Sequence, residues 1–201
     1  MKTLIGIPAM SWVYTDFLKS MLALDKPDAQ LMIQCNSLIY DARCNIALAA
    51  AQNDFDRVLW LDSDMVFEPD LLTRLNADMD KGLDMVCGYF VGRSAALKPC
   101  IYKSLTYEVR GEDIHAAAEP YTDHPQGLFE VAACGFGAVL TKVSLLKAVM
   151  DKYGPPFLPV RRLGEDLSFC LRAGQVGAHI YCDSTVSVGH IGTWVFKEEG
   201  K

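Results

Sequence analysis

The amino-terminal part of the chain alternates short apolar runs with segments of helical periodicity. The apolar runs comprise residues 2–7, 30–35, 57–61 and 84–90. The helical patterns between them comprise residues 14–24, 40–52 and 68–80. Short buried strands that alternate with helices are typical of a parallel sheet covered by helices on both faces. The pattern therefore predicts an α/β fold with a mostly parallel central sheet.

The pattern changes after Gly92. Residues 92–127 indicate short strands and loops without a long helix, and residues 128–140 are strand-like but carry two glycines. The remaining predicted elements are helices at residues 142–152 and 164–173 and closing strands at residues 178–182 and 185–188. A length of 201 residues suits one domain. We therefore expect a single domain over residues 1–201.

Composition argues against several classes of protein. The net charge of −6 is unlike that of a nucleic-acid-binding surface. No apolar run approaches the roughly 20 residues of a membrane span, and Pro8 interrupts the first run too early for a signal peptide. The seven cysteines form no CxxC pair, which indicates buried free thiols rather than a zinc site. These features predict a soluble cytoplasmic protein.

Two aspartates follow the third apolar run directly, in the stretch Val58–Leu72, VLWLDSDMVFEPDLL. Residues two apart in an extended chain point to the same side, so Asp62 and Asp64 would converge while Ser63 points away. Converging carboxylates require a cation, and oxygen ligands favour Mg²⁺ or Mn²⁺. The alternative is that both aspartates cap the turn into the next helix. Two other Asp-x-Asp triplets, at residues 54–56 and 78–80, lie near predicted turns and indicate ordinary solvated carboxylates.

Three further stretches carry polar residues suited to catalysis. Glu165 and Asp166 fall in the first turn of a predicted helix, where carboxylates also occur as simple capping residues. His190 follows the last predicted strand and is either structural or a ligand that completes a carboxylate site. Arg43 lies near a helix start and is either a phosphate-binding residue or part of a surface ion pair.

Taken together, these motifs resemble those of the GT-A glycosyltransferases, most closely the family 2-like group. The resemblance covers about residues 1–192. Its motifs, in chain order, are a first strand ending at Pro8, Ala42–Asn45, Leu59–Leu72, Gly135–Gly137, Glu165–Asp166 and Gly189–His190. The resemblance implies a GT-A (Rossmann-like) fold with a small mixed-strand region on the acceptor side. It divides the domain into a nucleotide-binding half (1–91), an acceptor-side half (92–192) and a tail (193–201).

The resemblance also implies roles for single residues. Asp62 would face the ribose and sugar of a nucleotide-sugar donor, expected to be a UDP-sugar. Asp64 would bind a divalent metal, Mn²⁺ or Mg²⁺, in a metal site that also includes Asp62 and His190. Asp166 would be the general base of an inverting transfer to an acceptor hydroxyl. The donor pocket would further include Ile7, Pro8, Ala9, Asn36, Arg43, Ser63 and Gly135.

One segment departs from the family pattern, because Gln34 and Asn36 stand where members commonly carry an acidic residue that reads the base. Three other functions are alternatives. LDSDMV also fits the strand end of a haloacid-dehalogenase-type phosphohydrolase, although about sixty residues precede it here. A nucleotidyltransferase would need a Gly-rich loop after the first strand, which GIPAMSW does not supply. A non-catalytic sugar-binding module would need no base.

Overall fold

The computed structural model describes residues 1–93 and 96–192. The elements of its first part are β1 (Thr3–Ala9), α1 (Thr15–Ala23), β2 (Ala29–Cys35), α2 (Ile39–Gln52), β3 (Arg57–Leu61), β4 (Met65–Val66), α3 (Leu71–Met79) and β5 (Met85–Tyr89). Those of its second part are β6 (Ile101–Arg110), β7 (Asp113–Pro120), β8 (Leu128–Val131), β9 (Ala133–Cys134), β10 (Ala138–Lys142), α4 (Val143–Tyr153), α5 (Glu165–Gln175), β11 (Ile180–Ser187) and β12 (Gly189–His190). The predicted tail, residues 193–201, lies outside the described residues.

Seven strands form the central sheet in the order β2-β1-β3-β10-β5-β11-β8. Strand β1 is parallel to β2 and β3, and β11 is parallel to β5. Strand β10 is antiparallel to both β3 and β5, and β8 is antiparallel to β11. Five of the seven strands therefore run in one direction, which confirms the predicted mostly parallel α/β fold.

Strand β3, which leads to the paired aspartates, is buried along its whole length. Trp60 packs on one face of the sheet with α2, α4 and α5, whereas Leu59 and Leu61 pack on the other with α1 and α3. This alternation follows the two-residue period of a strand. The Trp60 indole N–H donates a hydrogen bond to the Thr141 hydroxyl of β10, at 3.0 Å. Strand β3 is thus held from both faces and from its neighbour, which fixes the residues that follow it.

Several predicted elements differ from those in the structure. Helix α3 begins at Leu71 and not at Glu68, because residues 69 and 70 form a turn in which the Pro69 carbonyl accepts a hydrogen bond from the Asp25 N–H. The predicted short strands of residues 92–127 include one long hairpin, β6–β7. The predicted strand at residues 128–140 is three strands, and the two closing strands are one, β11, with a bulge. Gly135 and Gly137 separate β9 from β10, and the bulge in β11 hides the continuity of the two predicted closing strands.

Two small sheets border the central one. Strand β12 pairs with β4 and sets His190 opposite Met65, and β6 pairs with β9 through Ile101 and Cys134. In the described part of the chain no helix is long and apolar enough to cross a membrane. The seven cysteines are free, as predicted; four are buried, but Cys35 is exposed because β2 lies at the edge of the sheet.

Candidate functional site

A cavity of about 370 Å³ opens at the carboxyl ends of β1, β3 and β5. This is the edge at which open α/β sheets bind ligands. The predicted site residues that line it are Pro8, Ala9, Arg43, Asp62, Ser63, Asp64, Gly135, Asp166 and His190. Parts of the chain separated by more than 150 residues are thereby brought to one place.

Two predicted donor-pocket residues do not line the cavity. The Ile7 side chain is buried in the core beneath the sheet edge. Asn36 is exposed and has a backbone φ of 58°, in the left-handed region that asparagine tolerates better than most residues. Asn36 therefore forms the turn between β2 and α2, and Ser37, which was not predicted, lines the cavity in its place.

The backbone at Asp62–Asp64 does not continue the strand. The pairing of β3 ends at Leu61, and the Met65 N–H donates a hydrogen bond to the Asp62 carbonyl at 3.2 Å, which closes a turn. The predicted extended geometry is therefore wrong, and Ser63 lines the cavity together with both aspartates. Neither aspartate caps α3, whose N-cap is Asp70. Each aspartate instead has a basic partner of its own.

Asp62 is held by a buried arginine. Arg43, on α2, is only 2% exposed, and its Nη2 lies 2.8 Å from Asp62 Oδ1. Its Nε lies 3.6 Å from Glu165 Oε1, and the guanidinium lies over the Phe136 ring. The surface ion pair considered from the sequence is therefore excluded. Burial, with the nearby charges of Asp64 and Glu165, raises the pKa of Asp62 despite the opposing charge of Arg43.

Asp64 contacts two nitrogen-bearing side chains. His190 Nε2 lies 3.5 Å from Asp64 Oδ2, and Arg93 Nη1 lies 2.9 Å from the same oxygen. Burial favours the protonated acid, but the hydrogen bond and charge of His190 and the charge of Arg93 outweigh it and lower the pKa of Asp64. The hydrogen bond to Asp64 in turn raises the pKa of His190.

The backbone carbonyl of Val91 fixes the orientation of the His190 ring. Its Nδ1 lies 3.0 Å from the Val91 carbonyl, which can only accept, so Nδ1 carries a proton. In the neutral imidazole the lone pair of Nε2 then faces the Asp64 carboxylate. That arrangement suits a second proton or a metal ion between the two groups. The described residues contain no group of three or more His, Cys, Asp or Glu side chains placed to hold a metal, so Asp64 and His190 would supply only part of a coordination shell.

Arg93 is a site residue that sequence reasoning missed. It lies in the loop after β5, outside any periodic pattern, and half of its side chain is exposed. A signal was nevertheless present, because Arg93 closely follows a buried strand of the parallel set. Cys100, at the other end of the loop, and Tyr102, in β6, also line the cavity.

The paired acids Glu165 and Asp166 occupy the first turn of α5, as predicted, and both line the cavity. Asp166 Oδ1 accepts a hydrogen bond from the Leu167 N–H at 2.7 Å. Burial, and then the negative charge of Glu165, raises the pKa of Asp166 to about 6. Asp166 is therefore poised to exchange a proton near neutral pH.

Gly135 and Gly137 allow the cavity wall to approach neighbouring side chains closely. A Cβ on Gly137 would lie 2.8 Å from Met65 Cε and 2.9 Å from Phe90 Cζ. A Cβ on Gly135 would lie 3.0 Å from Phe90 Cζ and 3.7 Å from Asp166 Oδ2. Larger residues at these two positions would collide with Phe90, and at Gly137 also with Met65, so the wall could not keep its present packing.

Solved structures similar to this chain were found, and all of those described here share less than a quarter of their sequence with it. A197 from STIV is 23% identical, with a TM-score of 0.69 over 96% of this chain and 87% of its own. TarS 1-349 from S. aureus is 16% identical, with a TM-score of 0.59 over 94% of this chain and 60% of its own. GalNAc-T7 with UDP, GalNAc and Mn²⁺ is 11% identical, with a TM-score of 0.61 over 95% of this chain and 44% of its own. The chain thus spans less than two thirds of the TarS and GalNAc-T7 chains.

A search of curated proteins returned no match. The sequence profile of the family described as glycosyl transferase family 2, in contrast, matches residues 34–138, just over half of the chain. The matched region contains Arg43, Asp62, Asp64 and Gly135, whereas Asp166 and His190 lie beyond it. Neither the phosphohydrolase nor the non-catalytic module considered from the sequence is supported by this match. Together with the fold and the cavity, the match to the family profile shows that the chain belongs to glycosyl transferase family 2 and is a glycosyltransferase of the GT-A fold.

Proposed function

We propose that the protein moves a sugar from a nucleoside-diphosphate sugar, expected to be a UDP-sugar, to an acceptor hydroxyl with inversion. The observation that carries the proposal is the meeting of Asp62, Asp64, His190 and Asp166 in one cavity at the sheet edge. The similar structure of GalNAc-T7 with UDP and Mn²⁺ supports the choice of donor and of a divalent cation.

The residues that would hold the cation are Asp64 and His190, with Asp62 in the same turn. The Asp64 carboxylate suits Mn²⁺ or Mg²⁺, His190 Nε2 would add a nitrogen ligand in place of its contact with Asp64, and the diphosphate and water would complete the shell. When bound, such a cation neutralises the charge that develops on the departing diphosphate.

Arg43 and Asp62 would position the donor. Arg43 is buried and holds Asp62 Oδ1, which leaves Oδ2 to accept a hydrogen bond from a hydroxyl of the donor. Because the guanidinium is enclosed by Asp62, Glu165 and Phe136, the carboxylate keeps one orientation before the donor binds. Such prior ordering reduces the entropic cost of reaching a reactive geometry.

Asp166 would act as the base. Its Oδ1 is held by the Leu167 N–H, so Oδ2 is the oxygen available for the proton of the acceptor hydroxyl. With a pKa of about 6 it is mainly ionised at neutral pH. As the acceptor hydroxyl loses its proton to Asp166, its oxygen would attack the anomeric carbon on the face opposite the departing diphosphate. This attack would invert the configuration at that carbon.

We assign residues 1–91 to the donor side and residues 92–192 to the acceptor side. Three tyrosines of the latter region, Tyr102, Tyr107 and Tyr121, offer rings for stacking against a sugar. Tyr102 lines the cavity, whereas Tyr121 packs on Phe129 with ring centres 5.6 Å apart. Tyr102 is therefore the ring that we assign to the acceptor.

Calorimetric titration with UDP, GDP and their common sugar conjugates, with and without Mn²⁺, tests the donor. We expect metal-dependent binding of one nucleotide, lost in Asp64→Asn and retained in the matched control Asp80→Asn, whose carboxylate pairs with Arg57 outside the cavity. Absence of nucleotide binding with any metal would contradict the proposal, and retained sugar binding would then favour a binding module.

The base is tested by Asp166→Asn. Loss of a general base lowers turnover by about 10²–10⁴-fold, and nucleotide binding should persist because Asp166 does not hold the donor. Proton NMR of the product first formed by the wild-type enzyme should show the inverted anomer. Near-normal turnover of the variant, or a retained anomer, would remove Asp166 from the role of base.

A further inference from the structure

Arg93 contacts the oxygen at which the metal of the proposed function would bind. Building on that function, we infer that Arg93 occupies the cation position at Asp64 while the donor is absent and has to leave before a divalent metal can bind. The free enzyme would then bind metal weakly, and metal and nucleotide would bind cooperatively.

The contact geometry supports direct competition. Arg93 Nη1 lies 2.9 Å from Asp64 Oδ2, the oxygen that also lies 3.5 Å from His190 Nε2. A Mn²⁺ or Mg²⁺ ion held by Asp64 would need the lone pairs of its carboxylate oxygens. The guanidinium that donates to Oδ2 occupies one lone pair of that oxygen, and its positive charge would repel a divalent ion bound to the same carboxylate.

The arginine is placed so that it can leave. Its side chain is 50% exposed, in contrast to that of Arg43, which is 2% exposed and enclosed. The ends of its loop are fixed by a hydrogen bond from the Cys100 N–H to the Phe90 carbonyl, and the Gly92 N–H bonds to Lys98. The side chain of Arg93 can therefore swing away from Asp64 without any change in the strand that leads to it.

The cavity offers the displaced guanidinium a second anion. Arg93 lines the cavity that would contain the diphosphate, and a planar guanidinium binds phosphate oxygens well. If Arg93 moved from Asp64 to the diphosphate, the Asp64 carboxylate would be open to the metal. Because binding linkage is reciprocal, UDP would raise the affinity for metal by the same factor by which metal raises the affinity for UDP.

The inference is tested by Mn²⁺ binding, measured from the electron paramagnetic resonance signal of free Mn²⁺ without and with UDP. Arg93→Met removes the charge but keeps an unbranched apolar side chain where Cγ and Cδ of Arg93 lie near Gly192. We expect it to bind Mn²⁺ about tenfold more tightly than wild type without UDP, since both the ion pair and the repulsion are gone. UDP should then increase Mn²⁺ affinity less than in wild type.

Two variants serve as controls. Arg93→Lys keeps the charge and should bind Mn²⁺ nearly as weakly as wild type. Arg110→Ala removes an exposed arginine paired with Glu108 away from the cavity and should leave Mn²⁺ binding unchanged. If Arg93→Met and wild type bind Mn²⁺ equally without UDP, while UDP still promotes binding in both, the inference is wrong and the proposed function stands. If no variant binds Mn²⁺ even with UDP, the metal-dependent function itself fails, and the inference with it.

Discussion

Two Asp-x-Asp triplets in this protein have the same spacing and the same kinds of partner. In each, one aspartate pairs with a buried arginine and the other with an exposed basic residue. The pairs are Asp62 with Arg43 (2.8 Å), Asp64 with Arg93 (2.9 Å), Asp80 with Arg57 (2.7 Å) and Asp78 with Lys81 (2.7 Å). The sequence motif and its charge partners alone do not distinguish the two triplets.

Their surroundings differ. Arg57 also binds the Asn76 side-chain oxygen at 2.6 Å, and together with Asp80 it joins the start of β3 to the end of α3. Nε and Nη1 of Arg43 have no hydrogen-bond partner in the described structure, and neither has Asp78 Oδ2 of the other triplet, but the aspartate paired with Arg43 opens onto a cavity with further acids. The two buried arginines thus bracket the same strand, one stabilising its start and the other serving the site beyond its end.

The difference teaches that location in the fold, and not the motif, indicates a site. Asp78 also corrects the prediction from the sequence, because it is buried rather than solvated. Its triplet lies at the end of a helix, where the acids are matched by basic groups. The triplet at Asp62 lies at the carboxyl edge of the sheet, beside Glu165 and Asp166, where the acids outnumber the arginines.

The largest expected contrast is between Asp64→Asn and Asp80→Asn. Loss of the Asp64 carboxylate should lower kcat/KM of sugar transfer by about 10²–10³-fold, because the metal and the developing charge lose their anchor. Asp80→Asn should leave kcat/KM unchanged and lower Tm by about 2–4 °C. Steady-state kinetics and thermal melts measure both; comparable losses of activity would abolish the distinction between the triplets.

Exchanging the buried arginines sharpens the same contrast. A lysine at position 43 lacks the planar fork that reaches both Asp62 and Glu165, so Arg43→Lys should lower kcat by about tenfold. Arg57→Lys should lower only Tm, because its contacts with Asn76 and Asp80 lie outside the cavity. A full kcat in Arg43→Lys would show that one contact to Asp62 is sufficient.

The pH dependence of kcat/KM separates the acids of the cavity from those of the other triplet. Asp166 is active as the ionised base, so activity should fall as pH drops through its pKa of about 6. Glu165→Gln removes a negative charge that raises this pKa, so the acidic limb should move to lower pH. In Asp78→Asn the limb should stay in place. An unchanged limb in Glu165→Gln would mean that another group titrates.

The smallest effect is expected at the exposed partner of the second triplet. Lys81 lies on the surface three residues from Asp78, and such pairs contribute little. Lys81→Ala should change Tm by about 1 °C or less and leave Mn²⁺ binding as in wild type. This is the counterpart of Arg93→Met; tighter Mn²⁺ binding in Lys81→Ala would reveal a general charge effect.

Much of this architecture was predictable from local pattern. Strand β3 has its predicted bounds because an unbroken apolar run between polar residues leaves little choice. Asp62, Asp64, Asp166 and His190 share a cavity, as expected from strand ends and from the ordered motifs of the family. The strand signal depends only on neighbours in the sequence, whereas the grouping of the four site residues also depends on the order of the motifs along the chain.

What escaped prediction depends on contacts between distant segments. Arg43 was predicted to lie in the donor pocket, but its burial was not, since arginine is seldom buried and only the arrival of Asp62, Glu165 and Phe136 explains it. Arg93 lies in a loop, where no periodicity reveals which way a side chain turns. The antiparallel placement of β10 between β3 and β5 likewise follows from pairing across dozens of residues.

The position of β10 has a consequence for the newly synthesised chain. The neighbours of β5 in the sheet are β10 and β11, and both follow Gly137 in the sequence. While the ribosome has delivered only residues 1–91, β5 has neither partner and offers two open edges to other chains. Because these pairings close long loops, we expect the sheet to be completed only after β11 has emerged from the ribosome, and a fragment ending at residue 91 to aggregate.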